Sequence, residues 1–357
     1  MDASRSSERG RPDIECITFD AVVVRSFVSR LQVDIRQWLD ELRDHSDQGG
    51  KYAVMNAVRS LHNSAYFTLT SRYPLGTNVF EREWDLLVVL DACRVDAMRA
   101  VAPEFDFVDE VGSIWSVGSS SHEWLCKTFT AEYRDEIAET VYVSTNPNTP
   151  STFRDGEQPP RSYAVPFCWP DWDVVDEDAF ALLRQIHNHD YEEYFTTIAP
   201  DLVTDHAIHA GRTHDAERMV VHYFQPHRPY IAEAYPEERP TEGPEGQPWE
   251  AIRTGTATVA EVRELYLDNL RLALRSVERL LENTDAETVA ITADHGELFG
   301  ELGAYGHPEG VPHPNLKKVP WVETTATDER TSDPDVDIAR QESGAEFEEQ
   351  LRDLGYL

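Results

Sequence analysis

The sequence contains very little lysine. The basic residues number 32 against 66 acidic ones, arginine supplies nearly all of them, and the formal net charge is −34. So acidic and lysine-poor a surface is typical of proteins that stay hydrated in high salt, where charges are screened within a few Å. We therefore expect a halophilic protein, with a generally acidic protein of an ordinary cytoplasm as the alternative. This charge repels nucleic acid and anionic membranes, and we expect no nucleic-acid partner.

The chain also lacks long apolar runs, a basic-then-apolar leader and paired cysteines. No run approaches the ~20 apolar residues that span a bilayer, so we expect no integral membrane segment and a cytoplasmic location. The four cysteines form no CxxC pair or metal knuckle and are expected to be buried thiols: Cys16, Cys93, Cys126 and Cys168. Oligomeric state is left open.

What the sequence does contain is a set of short, continuous apolar runs. Leu86–Leu90, Met219–Phe224 and Thr288–Thr292 each indicate a strand buried on both faces of a parallel sheet, and Val141–Val143 is a weaker fourth. An amphipathic helix is predicted over Val259–Leu281, between two of these strands. Strands alternating with helices predict an α/β fold, a doubly wound, mostly parallel sheet flanked by helices.

Three regions are expected along the 357 residues. Residues 1–80 form an N-terminal helical extension, whose first helix has apolar residues at helical spacing and ends at Gly49–Gly50. Residues 81–325 form the catalytic domain. Residues 326–357 are an acidic segment that closes with a short helix over Glu346–Leu354.

Two of the predicted strands run into carboxylates. Asp91 follows the first strand, and Asp294 and His295 follow the strand at 288–292. Because sites in open parallel sheets form beyond the carboxyl ends of strands, these side chains are expected to meet and to bind a divalent metal ion. An Asp after a single strand is often only a helix N-cap, so the pair is the stronger signal.

Between these strands lie three consecutive serines, Ser119, Ser120 and Ser121. Ser120 with Glu123 fits the capping box of a helix start. A hydroxyl there lies near backbone N–H groups and a positive dipole end, which favours an anion and a nucleophile of lowered pKa. A purely structural role as helix caps is the alternative.

These segments resemble the alkaline phosphatase–sulfatase superfamily. Leu87–Ala92, with the Arg and Asp that follow, looks like the first metal strand of that superfamily, and Thr292–Glu301 is similar to its S-D-H-G-E-x-x-G-E-H-G segment. Gln225–Tyr230 looks like its D-P-H-x-P-Y segment, and Gly306-His307 and Val319-Pro320 match later positions. The resemblance covers residues 84–357 in order and implies a sulfatase-like, metal-dependent hydrolase or transferase of phosphate or sulfate esters.

The resemblance also implies roles for individual residues. Asp91, Asp294 and His295 match metal ligands. Ser119 matches the nucleophile and a further ligand, while Ser120 and Ser121 stay open as alternatives.

Four histidines and two lysines divide into two groups under this resemblance. His307 falls where relatives bind the anionic group of the substrate, and His227 falls near the leaving group or that anion. The remaining ones are expected to be solvated: His222, His313, Lys317 and Lys318.

The sequence departs from true sulfatases at the nucleophile. Those enzymes need a Cys or Ser in a C/S-x-P-x-R context for conversion to formylglycine, and Ser119–Glu123 lacks that Pro and that Arg. We therefore expect a phosphate ester, small or linked to a glycan or lipid, rather than a sulfate ester. The alternatives are a catalytically degenerate anion- or glycan-binding member and a true sulfatase.

The metal is expected to be a single ion, because no complete second set of ligands can be assembled from the sequence. Mn²⁺, Mg²⁺ and Zn²⁺ all fit two carboxylates, an imidazole and a serine oxygen, and the oxygen-rich set favours Mn²⁺.

Overall fold

The computed structural model describes Trp38 and residues 50–160, 167–186 and 197–336. Most of the first helix of the extension, the closing helix and Cys16 lie outside these residues. The described strands are β1 (Leu86–Leu90), β2 (Gly112–Trp115), β3 (Thr140–Ser144), β4 (Leu182–Gln185), β5 (Arg218–Tyr223), β6 (Ala286–Thr292), β7 (Leu298–Phe299), β8 (Tyr305–Gly306) and β9 (Lys318–Ala326).

The α-helices frame these strands along the chain. They are α1 (Gly50–Thr70), α2 (Val95–Val101), α3 (Ser121–Thr128), α4 (Arg134–Ala138), α5 (Asn148–Phe153), α6 (Pro200–Thr213), α7 (Pro248–Thr254), α8 (Val259–Leu281) and α9 (Pro314–Lys317). None of the described helices is long and apolar enough to cross a membrane.

Seven strands form one sheet in the order β2-β9-β6-β1-β5-β3-β4. The five strands from β6 to β4 are parallel, and β9 and β2 extend one edge in antiparallel pairing. All five residues of β1 are buried, as the continuous apolar run predicts for a central strand covered on both faces. The predicted α/β fold with a mostly parallel sheet flanked by helices is confirmed.

The long helix α8 has the bounds that the sequence predicts. Thr258 caps it by accepting from the backbone N–H of Glu261, whose carboxylate accepts in turn from the backbone N–H of Thr258. Its apolar stripe is buried at Leu267, Leu270, Leu274, Val277 and Leu281. Burial of that stripe orders a helix whose outward face is charged.

Candidate metal centre and nucleophile

The two strands that end in carboxylates are neighbours in the sheet. β1 and β6 are parallel and paired, so Asp91 and the Asp294-His295 pair emerge side by side at the same edge. All three side chains are fully buried, and one ligand atom from each lies within 4.8 Å of the others. The structure thus brings these three predicted residues together as a group that could bind a metal ion.

In each carboxylate, one oxygen accepts hydrogen bonds from the protein, and the other has no hydrogen-bond partner among the described residues. Asp91 Oδ2 accepts from Asn146 Nδ2 (2.8 Å) and Ser121 Oγ (3.2 Å). Asp294 Oδ1 accepts from the backbone N–H groups of Ala92 and His295. Asp91 Oδ1 and Asp294 Oδ2 remain unpaired, and each lies 3.5 Å from His295 Nε2. Unpaired buried carboxylate oxygens are costly unless a cation neutralises them, so this group fits a divalent metal.

Electrostatics support the same conclusion. Burial, followed by the charges of Asp294 and Glu297, raises the pKa of Asp91 well above its usual range. The pKa of Asp294 lies below its usual range: burial raises it, but the neighbouring imidazoles of His295 and His222 lower it by more. Without a cation, the carboxylate pair therefore favours a proton on Asp91.

His295 presents its Nε2 atom to the carboxylates. Its Nδ1 lies 2.8 Å from the carbonyl oxygen of Gly296 and donates to it, which leaves the Nε2 lone pair for the site. Gly296 is required because a Cβ there would lie 2.1 Å from the carbonyl oxygen of Asn315. Burial lowers the pKa of His295, so the imidazole is neutral and able to bind a metal at neutral pH.

His222 belongs to this site, so the expectation of a solvated surface residue is wrong. It lies in β5, next to β1, and is fully buried. Its Nδ1 is 2.9 Å from the Tyr142 hydroxyl, and its Nε2 is 3.7 Å from Asp294 Oδ2. An imidazole inside an otherwise apolar, doubly buried strand needs polar partners, and this was the signal in the sequence that could have identified it.

Ser121 is the serine that faces the carboxylates. Its Oγ lies 3.2 Å from both Asp91 Oδ2 and His295 Nε2, and it is the first residue of α3. Ser120 is the N-cap of this helix, as predicted, and accepts from the backbone N–H of Glu123. A Cβ at Gly118 would lie 2.6 Å from the backbone nitrogen of Trp124, so only glycine allows this tight entry into the helix.

Ser119, the first choice from the sequence, points away from the group. Its Oγ donates to Glu123 Oε2 (2.6 Å) and accepts from the backbone N–H of Gly310 (2.9 Å). Ser120 is therefore the N-cap residue, as the capping box predicts. The buried carboxylate of Glu123, however, accepts from Ser119 and not from the backbone N–H of Ser120. The prediction of Ser119 as metal ligand is not supported by these contacts.

A second group lies beside the first and includes both other predicted histidines. His227, Glu297 and His307 have ligand atoms within 4.8 Å of one another. The His307 ring centroid is 4.5 Å from that of His295 and 5.0 Å from that of His227. Burial, followed by the charge of His307, lowers the pKa of His227 well below its usual value. The sequence prediction of one ion missed Glu297, which the β7–β8 hairpin brings to within 3.2 Å of His307.

The remaining predictions concern lysines and His313. Lys318 is exposed and His313 is half-buried, with its Nδ1 accepting from the Asn315 N–H. Lys317 is buried, contrary to expectation, and its Nζ has no hydrogen-bond partner among the described residues. Burial lowers its pKa to about 8 despite the nearby Glu123.

Glu123 is the centre of a buried polar cluster behind the serines. Its Oε1 accepts from Tyr66 OH (2.9 Å) and Lys127 Nζ (2.5 Å), while Oε2 binds Ser119. Lys127 also donates to Thr70 Oγ1, so helix α1 is joined to the serine segment through this cluster. Buried ion pairs of this kind fix geometry more than they stabilise.

Comparisons with known proteins return solved structures only. The chain is similar to the soluble domain of lipooligosaccharide phosphoethanolamine transferase A from Neisseria meningitidis (14% identity, 69% of this chain and 77% of that one, TM-score 0.46). It is also similar to a putative sulfatase from Bacteroides thetaiotaomicron (10%, 70% and 66%, TM-score 0.40). A third is the periplasmic domain of EcEptC from Escherichia coli in complex with Zn (13%, 71% and 76%, TM-score 0.40).

These phosphoethanolamine transferases and sulfatases belong to the superfamily that the sequence motifs resemble. At such identities the similarity concerns the fold, and the functional conclusion depends on the residues of the site. No protein-family model matches this chain. No curated protein sequence matches it either.

Proposed function

We propose that this protein transfers or hydrolyses a phosphate ester through Ser121, with Asp91, Asp294 and His295 binding a divalent metal ion. The observation that carries the proposal is the position of Ser121 Oγ, 3.2 Å from both Asp91 Oδ2 and His295 Nε2. A hydroxyl at a helix N-terminus, beside two unpaired carboxylate oxygens, is suited to nucleophilic attack on an anionic ester.

The metal ion would supply positive charge, and the protein positions the groups that bind it. The bound ion supplies Lewis-acid charge that lowers the pKa of a hydroxyl and offsets negative charge on the ester. Mn²⁺, Mg²⁺ and Zn²⁺ fit the donor atoms, and the two carboxylates favour Mn²⁺. The protein holds the two carboxylates in place by hydrogen bonds. Asn146 donates to Asp91 Oδ2, and the backbone N–H groups of Ala92 and His295 donate to Asp294 Oδ1.

The reaction has two displacements. In the first, the Ser121 hydroxyl gives its proton to Asp91 Oδ2, its oxygen bonds to phosphorus, and the bond from phosphorus to the leaving oxygen breaks. In the second, the oxygen of water or of an acceptor alcohol bonds to phosphorus, the bond from phosphorus to Ser121 Oγ breaks, and Asp91 returns its proton to the serine oxygen. His227 and His307 lie on the His295 side of the site, where both can donate hydrogen bonds to the non-bridging oxygens. His307 is the one placed to deliver a proton to the leaving group and to take one from the attacking oxygen.

The second group supports a further possibility within the same function. His227, Glu297 and His307 offer two imidazoles and a carboxylate, a set that suits Zn²⁺. An ion at each group would add positive charge near the attacking and the leaving oxygen. The protein would then bind up to two ions per chain.

The test compares esters and metals. Purified protein in high salt is stripped with a chelator, reloaded with Mn²⁺, Mg²⁺ or Zn²⁺, and assayed on an aryl phosphate diester, monoester and sulfate. We expect activity on a phosphate ester that needs the metal and is lost in Asp294→Asn, while Asp205→Asn, which changes a carboxylate paired with Arg279 at the surface, keeps it. Turnover that survives both chelation and Asp294→Asn refutes the proposal, and turnover of the sulfate alone refutes the choice of ester.

A further inference from the structure

Helix α1 exposes aliphatic side chains on one face, and on the other face it buries several polar side chains beside Tyr66 and Phe67. The face against the rest of the protein contains buried Ser60, Asn63, Ser64 and Thr70 beside two aromatic rings. The opposite face is an aliphatic stripe, exposed at Val54 (66%), Val58 (61%), Leu61 (41%) and Leu69 (59%). A surface helix of a monomer has the reverse arrangement, so the stripe needs a partner.

The apolar surface is concentrated in this one segment. Of the eleven large apolar side chains that the described residues expose, six lie between Val54 and Leu75. The sequence also contains no Asp or Glu between residues 48 and 80, although the whole chain has 66. A contact made here would bury no carboxylate of this segment, which is unusual on a chain of net charge −34.

We propose that the stripe is the contact between two copies of this chain, α1 packing against α1 about a two-fold axis. Val54, Val58, Leu61 and the exposed Ala65 follow one another at spacings of four, three and four residues, the pattern of a seam between two helices. The stripe ends at Leu69 and is roughly 22 Å long at about 1.5 Å per residue. A two-fold contact needs only this one patch, because it is used by both copies.

The exposed area suits a dimer. The stripe together with Tyr73, which is 69% exposed and donates its backbone N–H to the Leu69 carbonyl, leaves on the order of 600 Å² of apolar surface per copy. A standard interface buries roughly 800 Å² per partner. The apolar surface of the segment alone thus approaches the area of a standard interface.

Two other occupants fit less well. Trp38, the described residue that precedes α1, donates its Nε1 to Ser60 Oγ (2.8 Å) on the inward side of the helix, so this side chain does not cover the stripe. A lipid surface favours a broad apolar face next to a basic one, whereas the opposite face of α1 is buried against the protein.

The test measures the mass of the full chain in solution. Light scattering after size exclusion in high salt is expected to give twice 40.7 kDa for the wild type and 40.7 kDa for Val58→Asp. Placing two carboxylates in the seam should weaken dimerisation at least about a hundredfold. The conservative Val58→Leu should remain dimeric, as should Val259→Asp, which changes an exposed valine of α8.

Circular dichroism checks that Val58→Asp is folded, and Leu61→Asp serves as a second disrupting variant if it is not. A wild-type monomer at tens of micromolar would overturn the proposal, and so would a folded Val58→Asp that remains dimeric. Sedimentation of a monomeric wild type with phosphatidylglycerol vesicles, lost in Val58→Asp, would assign the stripe to a lipid surface and likewise overturn it.

Discussion

Exchanging the serines one at a time is the sharpest test of the site, because Ser119 and Ser121 are only two residues apart and have different partners. Ser121→Ala removes the hydroxyl that faces Asp91 and His295. Only water at the same site can then attack the ester. We expect the rate of the chemical step to fall about 10³- to 10⁶-fold, equivalent to about 4–8 kcal/mol in the activation free energy.

Ser119→Ala is the matched control. It removes the hydroxyl that donates to the buried Glu123 carboxylate and accepts from the backbone N–H of Gly310, while the carboxylate keeps its bonds to Tyr66 and Lys127. We expect a loss of about 1–3 kcal/mol in the free energy of unfolding, with activity within about tenfold of the wild type. Urea denaturation measures the first quantity and single-turnover kinetics the second.

Intact-mass spectrometry of acid-quenched reactions gives the decisive reading. The wild type and Ser119→Ala should carry one phosphoryl group on the peptide that contains the serines, with fragmentation placing it on Ser121. Ser121→Ala should carry none. An active Ser121→Ala beside an inactive but folded Ser119→Ala would refute the assignment and return the nucleophile to Ser119.

Three further predictions concern the surrounding residues. His222→Ala should weaken metal binding about 10- to 100-fold, measured by titration calorimetry, while His206→Ala, which removes a buried histidine of α6, should leave it unchanged. Glu297→Ala should lower the bound zinc by one ion per chain in elemental analysis, and an unchanged stoichiometry would exclude the second group. Because the pKa of Lys317 falls from 10.5 to about 8 on folding, the unfolded chain binds more protons between these values and stability should rise with pH there, by on the order of 3 kcal/mol. Lys317→Met should lose that rise in pH-dependent urea melts, and identical slopes would contradict the argument.

The central sheet and its carboxylates could be predicted because each depends on local sequence. Continuous apolar runs identified β1, β5 and β6, and the carboxyl ends of such strands are where polar side chains meet. The antiparallel strand β9 was missed because Lys318–Ala326 mixes charged, polar and apolar residues and contains Pro320. Its apolar residues are too few and too interrupted to distinguish this segment from a loop by sequence.

The choice among the serines could not be made from sequence. Ser119, Ser120 and Ser121 are chemically identical, and their directions differ because the chain turns into a helix there. The difference between them comes from Glu123. Tyr66 of helix α1 donates to its carboxylate, which in turn accepts a hydrogen bond from the Ser119 hydroxyl. Glu297 escaped notice for a similar reason, since only the β7–β8 hairpin brings it to His307.

The bond from Tyr66 to Glu123 has a practical consequence for how the protein can be divided. A fragment that starts at residue 81 follows the sequence boundary of the extension, but it removes the Tyr66 and Thr70 hydroxyls from the cluster. Lys127 and Glu123 would then be open to solvent on one side, and Ser119 would lose the fixed carboxylate that orders the turn before Ser121. Soluble, active fragments should therefore begin at or before Gly50, which makes α1 part of the smallest autonomous folding unit.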